Sequence, residues 1–152
     1  MTTRSLLIGI PFALMGAACS VGDTEAVGGD VSIAIQQSLT GETTSAGTFT
    51  MTGAFVDGGS TTEELTFGGP LTQSPVPVTF RRQLTGRNGT IVIKGSANLA
   101  FTSPTAATLT GTWEVESATG AYAKGRGTLT GTANFGATPP TASLTYSGSL
   151  SR

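Results

Sequence analysis

The sequence predicts an all-β chain folded as a single antiparallel, eight-stranded closed barrel over residues 31–152. Three observations predict it. From Val31 onward apolar and polar residues alternate at period two, the pattern of a strand with one buried face. The alternating runs are separated by Gly, Pro and Asn clusters that favour turns. Glycines recur on the apolar side of the runs, at Gly53, Gly95, Gly111, Gly131 and Gly148. A strand-interior glycine is costly unless the strand must coil sharply or admit a bulky neighbour, so this recurrence favours a closed barrel over a sandwich. Closure also protects the sheet edges of a chain with few charged residues.

The eight runs follow in order. Val31, Ile33 and Ile35 alternate with Ser32, Ala34 and Gln36. Phe49, Met51 and Phe55 form the second stripe against Thr48, Thr50 and Thr52, and Leu65 and Phe67 a short third. Val76, Val78, Phe80 and Leu84 share one face of the fourth run, and Ile91, Ile93, Ala97, Leu99 and Phe101 form the longest stripe. Leu109, Trp113 and Val115 make the sixth, Leu129, Ala133 and Phe135 the seventh, and Leu144, Tyr146 and Leu150 the eighth. Turns are expected at Gly41-Glu42, Asp57-Gly58-Gly59, Gly68-Gly69-Pro70, Arg87-Asn88-Gly89, Ser103-Pro104 and Pro139-Pro140. Asn88-Gly89 is the strongest of these, because both residues tolerate the positive φ of a type I′ hairpin turn, which makes Gln83 to Ile93 a hairpin. Asn88-Gly89-Thr90 also spells a glycosylation acceptor, but the turn reading is preferred.

Composition excludes several functions. Only 11% of the 152 residues are charged, against ~25% in ordinary soluble domains. The net charge of −1 comes without any basic cluster, which argues against nucleic acid as a partner. Histidine is absent, removing the commonest general base and metal ligand, and a single cysteine permits neither an internal disulfide nor a thiolate zinc site. No cofactor and no metal are expected. The many Ser and Thr have no histidine to activate them, and Gly125-Arg126-Gly127 is too short and strand-like for a nucleotide loop.

The first residues read as an export signal. Arg4 precedes an apolar run from Leu6 to Met15, and Gly16-Ala17-Ala18 leads into Cys19. The run is too short for a permanent membrane span, so residues 1–18 are expected to be removed. The arrangement resembles a bacterial lipoprotein signal, with Gly16 standing where Leu is usual. That resemblance implies lipidation of Cys19 and attachment of the domain to the cell envelope; the alternative is a secreted soluble protein with an incidental cysteine. Residues 19–30, rich in Gly and acidic side chains, read as a flexible tether.

A second resemblance rests on Gly111-Thr112-Trp113-Glu114-Val115-Glu116-Ser117-Ala118-Thr119-Gly120-Ala121-Tyr122. The stretch resembles the W-x-V-x-x-G-T-G-x-Y pattern of bacterial domains related to allene oxide cyclase-like and dirigent-like barrels. Gly47-Thr48-Phe49 to Asp57-Gly58, and Leu84-Thr85-Gly86 to Ile91, are similar to earlier parts of those domains. Ala118 stands where Gly is frequent, and Lys124-Gly125-Arg126 replaces a segment that usually supplies a leucine. The resemblance implies a calycin-like barrel, and no catalytic residue carries over with it.

If alternation is unbroken, four polar residues point the same way as the core: Gln37 after Ile35, Glu63 before Leu65, Arg82 after Phe80, and Tyr146 between Leu144 and Gly148. Glu63 and Arg82 lie on consecutive strands and are expected to pair, to reach a rim or to hold a ligand, because a lone buried charge is costly. A rim position or a bulge that turns them outward is the plainer alternative. Arg81 faces the other way from Arg82, Glu114 and Glu116 read as a solvated face, and Trp113 reads as a core plug. The expected function is a non-enzymatic binding or structural module of the envelope. The alternative is an allene oxide cyclase-like or dirigent-like barrel that binds a small apolar ligand and steers its cyclisation or coupling. A cavity of about 300 Å³ or more, open at one end and lined by Glu63, Arg82 and Tyr146, would favour the alternative, and a barrel packed solid by Phe49, Phe55, Phe80, Phe101 and Trp113 the first reading.

Overall fold

The computed structural model describes residues 27–152. The expected leader, Cys19 and the expected tether up to residue 26 lie outside the described residues. Eight strands follow one another around a closed sheet: β1 (Gly28–Leu39), β2 (Thr44–Gly53), β3 (Asp57–Phe67), β4 (Val76–Gly86), β5 (Thr90–Ser103), β6 (Ala106–Ala118), β7 (Gly125–Asn134) and β8 (Thr141–Ser151). Each is antiparallel to the next, and β8 pairs back onto β1 from Ser38↔Thr141 to Gly28↔Ser151. The predicted all-β, eight-stranded closed barrel is therefore the observed fold. Odd-numbered strands run from the end where β1 begins, the closed end, to the end where it finishes, the mouth.

The period-two pattern resolves into an inside and an outside. Ile33, Ile35, Met51, Ile91, Ile93 and Leu84 are buried within the barrel, each contributing ~1.5–3 kcal/mol of hydrophobic stabilisation. Thr128, Thr130 and Thr132 of β7, like Ser143, Thr145 and Ser147 of β8, face outward and are exposed. Gly95 shows why glycine recurs inside. It pairs with Phe80 on one side and Trp113 on the other, and a Cβ there would stand 2.5 Å from Phe80 Cζ. The missing side chain lets the Phe80 ring lie against β5.

Three expectations are corrected. The first strand begins at Gly28 rather than Val31, because Gly28, Gly29 and Asp30 pair with Ser151, Leu150 and Ser149 and satisfy the backbone at the end of β8. Asp57-Gly58-Gly59 opens β3 instead of forming a turn. The chain turns earlier, where Gly53 takes a φ of 104° that ends β2, and Phe55 folds back into the core from the connecting bend. The hairpin between β4 and β5 stands, but not its type I′ turn: only Gly89 has a positive φ, 143°, and Asn88 does not. Asp57 explains the difference. Its carboxylate accepts from the N–H groups of Arg87 (2.9 Å) and Asn88 (3.1 Å), while Asn88 Nδ2 donates to the Val56 carbonyl. The loop is thus held against the start of β3.

The apolar interior is divided into two clusters. The larger fills the closed end and the middle, and a smaller one of Val76, Val78, Leu99 and Ala107 lies toward the mouth, flanked by half-buried Phe67, Phe101 and Phe135. Leu65 and Leu109 touch both.

Candidate functional site

All four residues that broke the apolar pattern meet inside the barrel. Glu63 of β3 and Arg82 of β4 are direct partners in register, and Arg82 Nη2 lies 2.6 Å from Glu63 Oε1. Both side chains are removed from water, at 0% exposure for Arg82 and 3% for Glu63. The outward rim or bulge alternative is therefore not what occurs. Arg82 Nη2 also donates to Gln37 Oε1 at 2.6 Å, Nη1 donates to Thr61 Oγ1 at 2.9 Å, and Nε donates to Tyr146 Oη at 3.0 Å. Glu63 Oε2 accepts from Gln37 Nε2 at 2.8 Å and from Ser45 Oγ at 2.9 Å. Strands β1, β2, β3, β4 and β8 each contribute to one network.

The network is what makes the charges tolerable. A buried ion pair repays its desolvation only when the remaining donors and acceptors are also met. Here no buried side-chain nitrogen or oxygen among the described residues lacks a partner. The Arg82 guanidinium also stands 5.6 Å from the centroid of the Tyr146 ring, which Trp113 stacks against at 6.1 Å. Burial pushes the Tyr146 phenol up to about 12; Arg82 draws it down and Glu63 raises it. The phenol is thus neutral at ordinary pH. Trp113 donates through Nε1 to the Thr128 carbonyl at 3.1 Å and is buried, as its reading as a core plug requires.

Gln37, Glu63 and Tyr146 form one side of a half-enclosed cavity of about 70 Å³. It lies where the two apolar clusters part, and Leu39, Phe67, Phe135 and Pro140 line it toward the mouth. Arg82 is not among its lining residues, because Glu63, Gln37, Thr61 and Tyr146 enclose the guanidinium. A larger depression of about 890 Å³ crosses the outer wall over Lys94, Glu114 and Arg126. There Lys94 pairs with Glu114 at 3.3 Å, and the depression is open to water. The inner cavity is the candidate site because apolar walls and a few convergent polar groups meet there.

Compared with known proteins, the chain matches no family model, no curated protein and no solved structure. The site therefore rests on its own geometry.

Sequence reasoning missed Thr61 and Ser45, although parity could have found them: Thr61 is two residues before Glu63, and Ser45 is four before Phe49 on the same face. It also missed a second buried cluster at the closed end. Tyr122 Oη donates to Asp57 Oδ2 at 2.5 Å, and the Tyr122 ring packs 5.5 Å from Phe55. Arg152 stands over Phe55 at 5.7 Å. Burial pushes the Asp57 carboxyl up, but hydrogen bonds from Tyr122 and from the N–H groups of Gly58, Asn88 and Arg87 outweigh it and hold Asp57 below the usual carboxylate range. Burial, together with the bond to Asp57, raises the Tyr122 phenol to about 12. Arg81 and Glu116 pair on the outside at 2.7 Å, as their outward parity predicts. No group of three or more His, Cys, Asp or Glu able to hold a metal occurs among the described residues.

Proposed function

We propose that this protein is a non-enzymatic binding module of the cell envelope, held there through a lipidated Cys19, whose mouth receives the end of a slender apolar molecule. The observation that carries the reading is the half-enclosed apolar cavity at one end of the barrel, closing on the Glu63–Arg82–Gln37–Tyr146 network. The opposite end is filled by Phe55 and Tyr122, so a ligand has one way in. The outer wall supports an aqueous setting: β7 presents Arg126, Thr128, Thr130, Thr132 and Asn134 outward, the reverse of a lipid-facing barrel. Since β1 begins at the closed end, an anchor upstream of it joins the barrel at the end away from the mouth.

The buried phenol, guanidinium and carboxylate beside the cavity also favour the steering barrel of the allene oxide cyclase-like or dirigent-like kind. Its weakness is room: about 70 Å³ is well below the ~300 Å³ of a small-molecule pocket. Binding of a ligand's end needs less.

Two measurements test the proposal. Organic extraction of protein purified from its native source, followed by mass spectrometry, is expected to release an apolar small molecule. An Ala133→Trp variant, which fills the cavity, is expected to lose it. Equal recovery from both proteins, or none from either, contradicts the binding role. Intact-mass analysis is expected to show an acylated Cys19, and an unmodified N-terminus contradicts the anchor.

A further inference from the structure

We infer that the mouth selects its ligand by head group: it takes a slender apolar molecule ending in a hydroxyl and rejects the carboxylate of the same length. The inference rests on the binding role proposed above and names the ligand class. Of the network's two charges, only Glu63 lines the cavity; Arg82, fully buried, lies behind it. Four of its five N–H donors are used, Nε by Tyr146, one on Nη1 by Thr61 and both on Nη2 by Gln37 and Glu63, and the guanidinium does not reach the cavity wall. An anionic head would therefore meet a carboxylate, with no cation on the cavity wall to receive it, and two carboxylates in one apolar site repel.

A hydroxyl meets no such obstacle. The Glu63 carboxylate accepts three hydrogen bonds, from Arg82, Gln37 and Ser45, and a carboxylate has about four acceptor positions. Gln37 uses one N–H toward Glu63 and one acceptance from Arg82, so its amide keeps a second N–H. An alcohol can donate to Glu63 and accept from Gln37 without disturbing the network. Because the Glu63–Arg82 pair is neutral as a whole, a neutral head costs less desolvation than a charged one. The narrow cavity and the Phe67 and Phe135 walls suit a linear chain behind that head.

The test uses the mature protein with 1-octanol, octanoate at pH 7 and octyl methyl ether, followed by calorimetry and by the fluorescence of Trp113, the single tryptophan, whose ring stacks on Tyr146. Octanol is expected to bind roughly tenfold or more tightly than both octanoate and the ether, which lacks a donor. Equal binding of all three overturns the head-group inference and leaves the binding role standing; octanoate binding tightest overturns it too, making Arg82 the recognising group. Absence of binding by every compound overturns both. A folded Glu63→Gln/Arg82→Met double variant, which removes both charges together, is expected to bring octanoate to within about threefold of octanol. An unchanged discrimination in that variant assigns selectivity to something other than Glu63.

Discussion

The two ends of the barrel each bury a carboxylate from the same strand, and they use it differently. At the closed end Asp57 is met by neutral donors, the Tyr122 phenol and backbone N–H groups, and holds the β4–β5 loop and an aromatic plug in place. Toward the mouth, Glu63 is met by a guanidinium, an amide and a hydroxyl, and faces a cavity. Six residues apart on β3, the two share an inward parity. A local turn and a plug consume the first carboxylate completely; the second is satisfied from three other strands, β1, β2 and β4, and keeps polar capacity beside a cavity. The lesson is that a buried charge marks a site only when what surrounds it has somewhere to put a ligand.

The largest effect should come from separating the charges near the mouth. Arg82→Met leaves Glu63 buried without its partner and is expected to cost ~3–5 kcal/mol in urea denaturation, whereas Glu63→Gln/Arg82→Met recovers much of that loss. If the single and double variants are equally destabilised, the pair is not what makes the network stable.

Asp57→Ala breaks the other side of the comparison. It removes the acceptor of a phenol and of three backbone N–H groups and is expected to cost ~1–3 kcal/mol by chemical denaturation. Ligand affinity at the mouth should stay unchanged in the folded variant. A loss of binding would show that the two ends are coupled.

The pH dependence sharpens the same contrast. Tyr146 and Tyr122 are both raised to about 12, so stability is complete below the unfolded value of 10 and falls as pH rises toward 12. Thermal melts across that interval should show the fall, reduced in Tyr146→Phe. Asp57 is held low, so its contribution is present above the ordinary carboxylate value and is lost as acid carries the pH through the lower folded value. The smallest effect belongs to neither end. Arg81→Ala breaks an exposed pair with Glu116 and should change stability by only ~0.2–1 kcal/mol in the same denaturation assay.

Much of this arrangement was legible in the sequence, for particular reasons. Gln37, Glu63, Arg82 and Tyr146 stood out because each occupies an inward parity between apolar neighbours, and a long polar side chain there is conspicuous. Thr61 and Ser45 share that parity but not the conspicuousness, since Thr and Ser also clothe the whole outer wall. Strand β3 was read too short because its inward positions before Leu65 are Asp57, Gly59, Thr61 and Glu63, which carry no apolar alternation at all. The Asp57–Tyr122 clasp joins residues 65 apart through a bend that resembled a turn signal, so no local pattern announced it. The cavity was not legible either: its volume depends on how side chains from facing strands tilt toward one another, and alternation specifies only which way they point.

The most direct test of the account is an amide NMR titration of isotopically labelled protein with 1-octanol. Shifts concentrated at Leu65, Leu109, Ala133 and Ala142, with those around Phe55 and Tyr122 unmoved, are the predicted result. Shifts centred on the closed end, or none at saturating ligand, would contradict the claim that the mouth is the binding site.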